Sequence, residues 1–261
     1  LHFAFSYAKI IHITYLKMQN MKTLRPDGPL HSTEDKNMSN SIMNGGIMTI
    51  TEQIYNLIRT DILTHNLKAG EKLTMKFLQE RLGVSSSPIR EALTRLQQEG
   101  LIEYQPNVGM SVMVFTAKDV EDIFALMQEL ECVALRFACR SEDRAGMIQD
   151  LRRLQDKASR RLQDGELEQW EDLSNRFHMV FYSHAGNARL SDAATKTRTQ
   201  LSIFSNLYQK EPENQLLIHQ EHEQILQLLE AGDDAAAEEA LRRHMDASKA
   251  KAIAQLHNEK I

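Results

Sequence analysis

The run Val84-Ser85-Ser86-Ser87-Pro88-Ile89-Arg90-Glu91-Ala92-Leu93 decides the fold. Small hydroxyl residues suit a helix cap, and the proline suits a first helical turn, where its missing N–H costs nothing. Ile89, Leu93 and Leu96 then form an inward stripe, and Gly100 stops the helix. Upstream, a second helix over about 74–82 turns Phe77, Leu78 and Leu82 inward and ends at Gly83. Further upstream, Thr49-Ile50-Thr51-Glu52 has capping-box spacing. Ile54, Leu57, Ile58, Ile62 and Leu63 follow at helical period, and Lys68-Ala69-Gly70-Glu71 reads as a turn. Beyond Gly100, residues 101–105 and 110–115 read as short strands joined by Pro106-Asn107-Val108-Gly109. Helix, helix, turn, helix and hairpin is the order of a winged helix-turn-helix.

From Thr116 onward the pattern is helical almost to the end. Thr116 is a cap with Asp119 three residues on. Helices are expected over about 117–140, 142–163, 167–185, 188–209, 213–231 and 233–257, with joints at Ala185-Gly186-Asn187 and Ala231-Gly232-Asp233. The fold class is therefore mainly α. A winged helix-turn-helix over 48–115 precedes an all-helical bundle over 116–261. Residues 25–47 are polar and rich in turn formers, so 1–47 reads as a disordered extension. Met48 stands directly before the first helix, and it or a nearby Met is the expected translation start.

Charge is unevenly spread over the 261 residues, whose net charge is −5. Residues 48–115 carry 7 basic and 7 acidic side chains, and 116–261 carry 19 and 26. A DNA reader belongs in the neutral segment, with the acidic bundle held away from the phosphates. Cys132 and Cys139 lie seven apart on one expected helix, roughly 10 Å at 1.5 Å per residue. That is too far for a disulfide, so buried thiols in a reducing cytoplasm are expected. No apolar run is long enough for a membrane-spanning helix, so no membrane partner is expected.

Residues 50–115 resemble the DNA-binding domain of the GntR family. The resemblance rests on Leu67-Lys68-Ala69-Gly70-Glu71-Lys72-Leu73, on Leu82-Gly83-Val84-Ser85 and on Pro88-Ile89-Arg90-Glu91-Ala92-Leu93. It extends through Glu99-Gly100-Leu101-Ile102 and Pro106-Asn107-Val108-Gly109. It implies operator DNA as partner, read by a homodimer. Ser85, Ser86 and Ser87 would let the helix N-terminus approach the groove, and Arg90 would reach a phosphate or a guanine edge. Lys76 would contact phosphate from the preceding helix, and Gly109 would form the wing tip. Arg95 reads instead as a solvated or structural charge. Many family members carry Arg at the position of Ser86 and a basic residue at that of Val108. Fewer cations mean fewer released counterions, so non-specific affinity is expected to be low.

Residues 116–261 resemble the FCD-type ligand domain of the FadR subfamily. The match rests on Leu130-Glu131 with Ala134, on Asn175-Arg176-Phe177-His178 with Asn187, and on Glu221-His222-Glu223-Gln224-Ile225, Gly232-Asp233 and His244-Met245. In that family, histidines at the positions of His178, His222 and His244 hold a divalent metal, which in turn holds a carboxylate effector. Neutral imidazoles suit Zn, Ni or Mn. An Asp usually stands four residues before the first His. Here that residue is Ser174, so Ser174 or the neighbouring Asn175 is the candidate fourth ligand. The family's basic residue three before Leu-Glu is Met127. His184 and His219 read as bystanders.

The expected function is a ligand-responsive, cytoplasmic DNA-binding regulator with a small organic-acid effector. Two alternatives stand beside it. In one the bundle only dimerises, with an empty site. In the other a metal-dependent enzyme carries an accessory DNA domain, and Glu221 or Glu223 acts as general base.

Overall fold

The computed structural model describes residues 48–106 and 108–259. The expected disorder of 1–47 lies outside the described residues. The first helix, α1 (Ile50–Leu63), opens with the anticipated capping box. The Thr49 hydroxyl accepts from the Glu52 N–H, and the Glu52 carboxylate accepts from the Thr49 N–H at 2.8 Å. Helix α2 (Met75–Leu82) is capped by Thr74 and stops at Gly83, whose φ of 67° is the left-handed conformation that ends helices. Helix α3 (Ser86–Gln98) buries Ile89, Ala92, Leu93 and Leu96 against α1. Pro88 is the third helical residue, still inside the first turn that tolerates it.

The wing is an antiparallel pair, β1 (Ile102–Gln105) and β2 (Gly109–Val112), in register Ile102 with Val112 through Gln105 with Gly109. Gly109 has φ 98°, a conformation L side chains rarely adopt, so the tight return depends on glycine there. On its other edge β2 meets residues 70–73. The Leu73 N–H donates to Met110 O at 2.9 Å, and the Val112 N–H donates to Glu71 O at 3.0 Å. The second strand is shorter than expected. Past Val112 the chain leaves the sheet, and Phe115 packs edge-on against Phe204, 5.3 Å between centroids.

The bundle follows: α4 (Ala117–Arg140), α5 (Arg144–Asp164), α6 (Leu167–His184), α7 (Ala188–Tyr208), α8 (Pro212–Glu230) and α9 (Asp234–Glu259). Thr116 and Asp119 form the second capping box. The core side of α4 packs against α6, α7 and α9, while α5 and α8 close the opposite flank. Arg152 ties these two together by donating to both Glu223 and Glu230.

One bundle helix also touches the winged unit. On α7, Asn206 donates to Leu63 O at 3.3 Å and Gln200 to Gly100 O at 3.4 Å. His65, held at φ 61°, places its Nε2 3.2 Å from Ile203 O. With the Phe115–Phe204 contact, these seat the winged helix on α7. The aromatic pair alone contributes about 0.5–1.5 kcal/mol beyond its buried area. No helix among the described residues is long and apolar enough to cross a membrane.

Candidate metal centre and DNA-reading face

The three histidines come from three helices: His178 from α6, His222 from α8 and His244 from α9. All are buried, and their ring nitrogens form the cluster able to hold a metal ion among the described residues. His222 Nε2 lies 3.2 Å from His178 Nε2 and 3.4 Å from His244 Nε2. Ligands about 2.0–2.1 Å from a tetrahedral zinc stand roughly 3.3 Å apart, so this spacing fits a shared ion.

The opposite ring nitrogens are anchored. His178 Nδ1 donates to Glu131 Oε2 and His244 Nδ1 to Glu221 Oε2, each at 2.7 Å. A carboxylate can only accept, so Nδ1 carries the proton and Nε2 turns a bare lone pair toward the common point. Carboxylates behind histidines are the usual arrangement that orients metal ligands. His222 is held by stacking on Phe177, with centroids 4.2 Å apart and planes 3° apart. Burial pushes the pKa of His178 down despite Glu131, and burial with two neighbouring imidazoles pushes that of His222 well down. Neutral imidazoles are the form a metal binds.

Glu131 is the buried charge of the site, 2% exposed. Burial opposes its ionisation, but the attraction of His178, then that of the Arg198 guanidinium, and the hydrogen bond from His178 hold its carboxyl at about 2. Arg198 comes from α7, donates to Glu131 Oε1, and lies 5.5 Å from the Tyr182 ring centroid. Met127 itself is fully buried. The site's cation therefore comes from another helix than the family pattern implies. No local spacing rule links Arg198 to Glu131, 67 residues away.

Helix α6 presents four polar heads at four-residue spacing to the interior: Trp170, Ser174, His178 and Tyr182. Trp170 Nε1, Ser174 Oγ and Tyr182 Oη are buried without a hydrogen-bond partner, as is Arg198 Nε. Unsatisfied buried polar atoms are costly, so a seam of them beside the histidines fits a polar guest. Ser174 is a fully buried hydroxyl, whereas Asn175, one residue round the helix, is half-buried. Asp172 is exposed and pairs with Arg176. His184 is held between Asp143 and Asp150, and His219 stands outside the cluster. Glu221 and Glu223 are both engaged, by His244 and by Arg152. Both cysteines are free. Burial raises the Cys132 thiol to about 12 and the Cys139 thiol to about 11.

On the winged unit, Ser85 is the N-cap of α3 with no side-chain capping bond. Its hydroxyl and the first helical N–H groups are therefore not closed off by a side-chain cap. Ser87 and Arg90 are exposed and Ser86 is half-buried. The acids that could neutralise Arg90 are turned elsewhere. Glu91 accepts from Thr51, and Glu80 lies 4.0 Å from the exposed Lys76. Arg90 and Thr94 of α3 face Tyr104, Val108 and Gly109 of the wing across a groove of about 480 Å³. Arg95 points away and covers the Tyr55 ring at 4.2 Å, a structural role.

Comparison with known proteins decides the family. The model of the bacterial regulatory proteins of the gntR family matches residues 50–112, and that of the FCD domain matches 122–247. The chain belongs to the GntR family. This GntR-family regulator is 27% identical over 207 residues to an uncharacterized HTH-type transcriptional regulator, BphR, of Paraburkholderia xenovorans, covering 77% of this chain and 84% of that one. It is 27% identical over 203 residues to the HTH-type transcriptional repressor RspR of Escherichia coli, covering 75% and 86%. Among solved structures, it shares its fold with a GntR transcriptional regulator from Rhodococcus sp. RHA1, with TM-score 0.64 at 18% identity over 78% and 97% of the two chains. Escherichia coli McbR/YncC gives 0.63 at 22% over 82% and 100%. A GntR-family regulator is not an enzyme, and the accessory-domain reading falls with that assignment.

Proposed function

We propose that this chain is a dimeric regulator that reads double-stranded operator DNA through residues 48–115 and senses a small organic acid through 116–261, in the cytoplasm. Lys76, Ser85, Ser86, Ser87, Arg90 and Gly109 form the DNA-reading set. His178, His222 and His244 hold a divalent Zn, Ni or Mn, with Ser174 nearer than Asn175 to the requirements of a fourth ligand. Such an ion, once bound, supplies an open coordination position for a carboxylate oxygen. Around it Glu131 and Glu221 fix the imidazoles, and Ser174, Tyr182 and Arg198 offer unpaired donors to the effector. The observation that carries this reading is the convergence of three Nε2 atoms, at 3.2 and 3.4 Å, on one buried point.

The same observations favour a sensing bundle over one that only dimerises, because an unused cluster would leave these polar groups unsatisfied at a cost. An effector acts by binding one arrangement of the DNA-reading units better than another. Helix α7, which holds Glu131 through Arg198 and seats the winged unit, connects the two regions.

Elemental analysis of untagged protein, prepared free of chelator, tests the site. About one metal per chain is expected in the wild type and none in His222→Ala/His244→Ala. Small carboxylates are then screened for their effect on binding to DNA from the protein's own promoter. A tenfold change, about 1.4 kcal/mol of coupling, is expected from the effector. Absence of metal after reconstitution, with no carboxylate altering DNA affinity, would reject the sensing role.

A further inference from the structure

The polar interior of the bundle continues past the histidines. Helices α8 and α9 run antiparallel from the turn at 231–233, with His222 Nε2 and His244 Nε2 3.4 Å apart. Seven residues are close to two full turns, so they carry each helix about 10 Å from that level and bring it back to the same side. On α8 the residue seven before His222 is Gln215, and on α9 the residue seven after His244 is Lys251. The end of α7 closes the same layer. Gln215 Nε2 donates to Gln209 O at 2.6 Å, and Tyr208 is hydrogen-bonded to Ser248, one turn before Lys251. Gln209, Gln215, Tyr208 and Ser248 are all buried.

This layer is unfinished. Lys251 Nζ, Gln209 Oε1 and Gln215 Oε1 are each buried without a hydrogen-bond partner. One such atom is an ordinary imperfection, but a cation and two bare acceptors at one level are a standing cost. A methionine at 251 would fill the same space without it. What completes the layer is an anion on Lys251, with a hydroxyl or an ordered water donating to the two amide oxygens. Glu221, the acid on α8 one turn from the layer's Ile218, is already held by His244 and does not serve. The anion therefore comes from outside the chain. It would also touch the last turn of α7, where Asn206 holds the winged unit through Leu63 O. Of the 10 Å between the two levels, an ion-to-oxygen bond and a hydrogen bond to Lys251 take up about 5 Å. A chain of about four to six carbons spans the remainder.

We propose that Lys251, with Gln209 and Gln215, forms a second anion subsite, and that the effector is a dicarboxylate lying between it and the histidines. The proposal rests on the organic-acid reading above and adds the second head. Calorimetry of the full-length, metal-loaded protein tests it with succinate, glutarate and adipate against butanoate, pentanoate and hexanoate. At least one diacid is expected to bind about tenfold or more tightly than the monoacid of equal length. Lys251→Met should erase that preference, leave monoacid binding and metal content unchanged, and raise the Tm of the ligand-free protein by about 2–4 °C, because a buried charge is gone. Lys251→Arg should keep the preference. Equal binding of diacids and monoacids by the wild type, or a preference that survives Lys251→Met, would overturn the subsite while leaving the organic-acid reading intact. A Tm lowered in both Lys251→Met and Lys251→Gln would make the lysine a structural group and overturn the subsite as well. Binding of none of the six acids would overturn both readings.

Discussion

Breaking the pair between Glu131 and Arg198 should cost far more than removing it whole. Glu131 is 2% exposed and accepts from both His178 and Arg198, whose side chain is itself only 18% exposed. An exposed ion pair contributes at most about 1 kcal/mol. Here each single substitution strands a partner inside the protein, which costs about 3–5 kcal/mol. Glu131→Met leaves the Arg198 guanidinium without its carboxylate, and Arg198→Leu leaves a carboxylate with His178 alone. In Glu131→Met/Arg198→Leu no charge is stranded. What remains is the His178 Nδ1–H without an acceptor, about 1–3 kcal/mol. The double variant should therefore be more stable than either single one, with a coupling of at least about 2 kcal/mol. Urea denaturation in a chelating buffer, followed by circular dichroism, measures it without interference from metal. Two single losses that simply add in the double variant would refute the buried pair. In a metal titration, Glu131→Met should also lower affinity about 10–100-fold, because His178 loses the group that orients it.

Ser174→Asp places a carboxylate at a buried position whose hydroxyl now has no partner, one turn before His178. It should raise metal affinity about tenfold by calorimetry, a fourth-ligand gain of roughly 1.4 kcal/mol; unchanged affinity would place Ser174 outside the coordination sphere. Arg90→Ala should cost about 1–3 kcal/mol on the preferred operator and flatten base preference. Lys76→Ala should instead weaken all DNA uniformly and reduce the salt slope by about one, both read by fluorescence anisotropy. The thiols, raised to about 12 and 11 by burial, stay protonated at pH 8. The folded protein should resist alkylation there, react faster as pH climbs toward those values, and react at once in denaturant. Rapid labelling of the native protein at pH 8 would contradict their burial.

Much of the architecture follows from local chemistry and was legible residue by residue. The boxes at Thr49–Glu52 and Thr116–Asp119, the stop at Gly83 and the return at Gly109 are each decided within a few residues. Departures arise where distant packing intervenes. Ser85 occupies the cap position yet makes no capping bond, and the second strand ends early because Phe115 turns to meet Phe204. The histidine cluster was legible only through family resemblance, since 44 residues separate His178 from His222 and 22 separate His222 from His244. Arg198 was missed because nothing near it in sequence marks it. Its meaning depends on which side of α7 faces Glu131. Glu221 was read only as a candidate general base, whereas its carboxylate accepts from His244 Nδ1.

The seating of the winged helix on α7 makes little use of the side chains on the DNA-reading face. Asn206 and Gln200 grip main-chain carbonyls at Leu63 and Gly100, and His65 reaches the main chain at Ile203. Each of these three contacts has a backbone oxygen on one side, and only Gly100 is bound to its residue type there, since a Cβ would run into Gln200 Nε2. The DNA-reading surface can therefore be rewritten, serine for arginine or wing residue for wing residue, without loosening the joint. Exchanging the reading head for that of another protein should leave the joint intact where His65, Gly100 and Phe115 are kept. Such a joint lets one sensor acquire new target sites through substitutions confined to a single face.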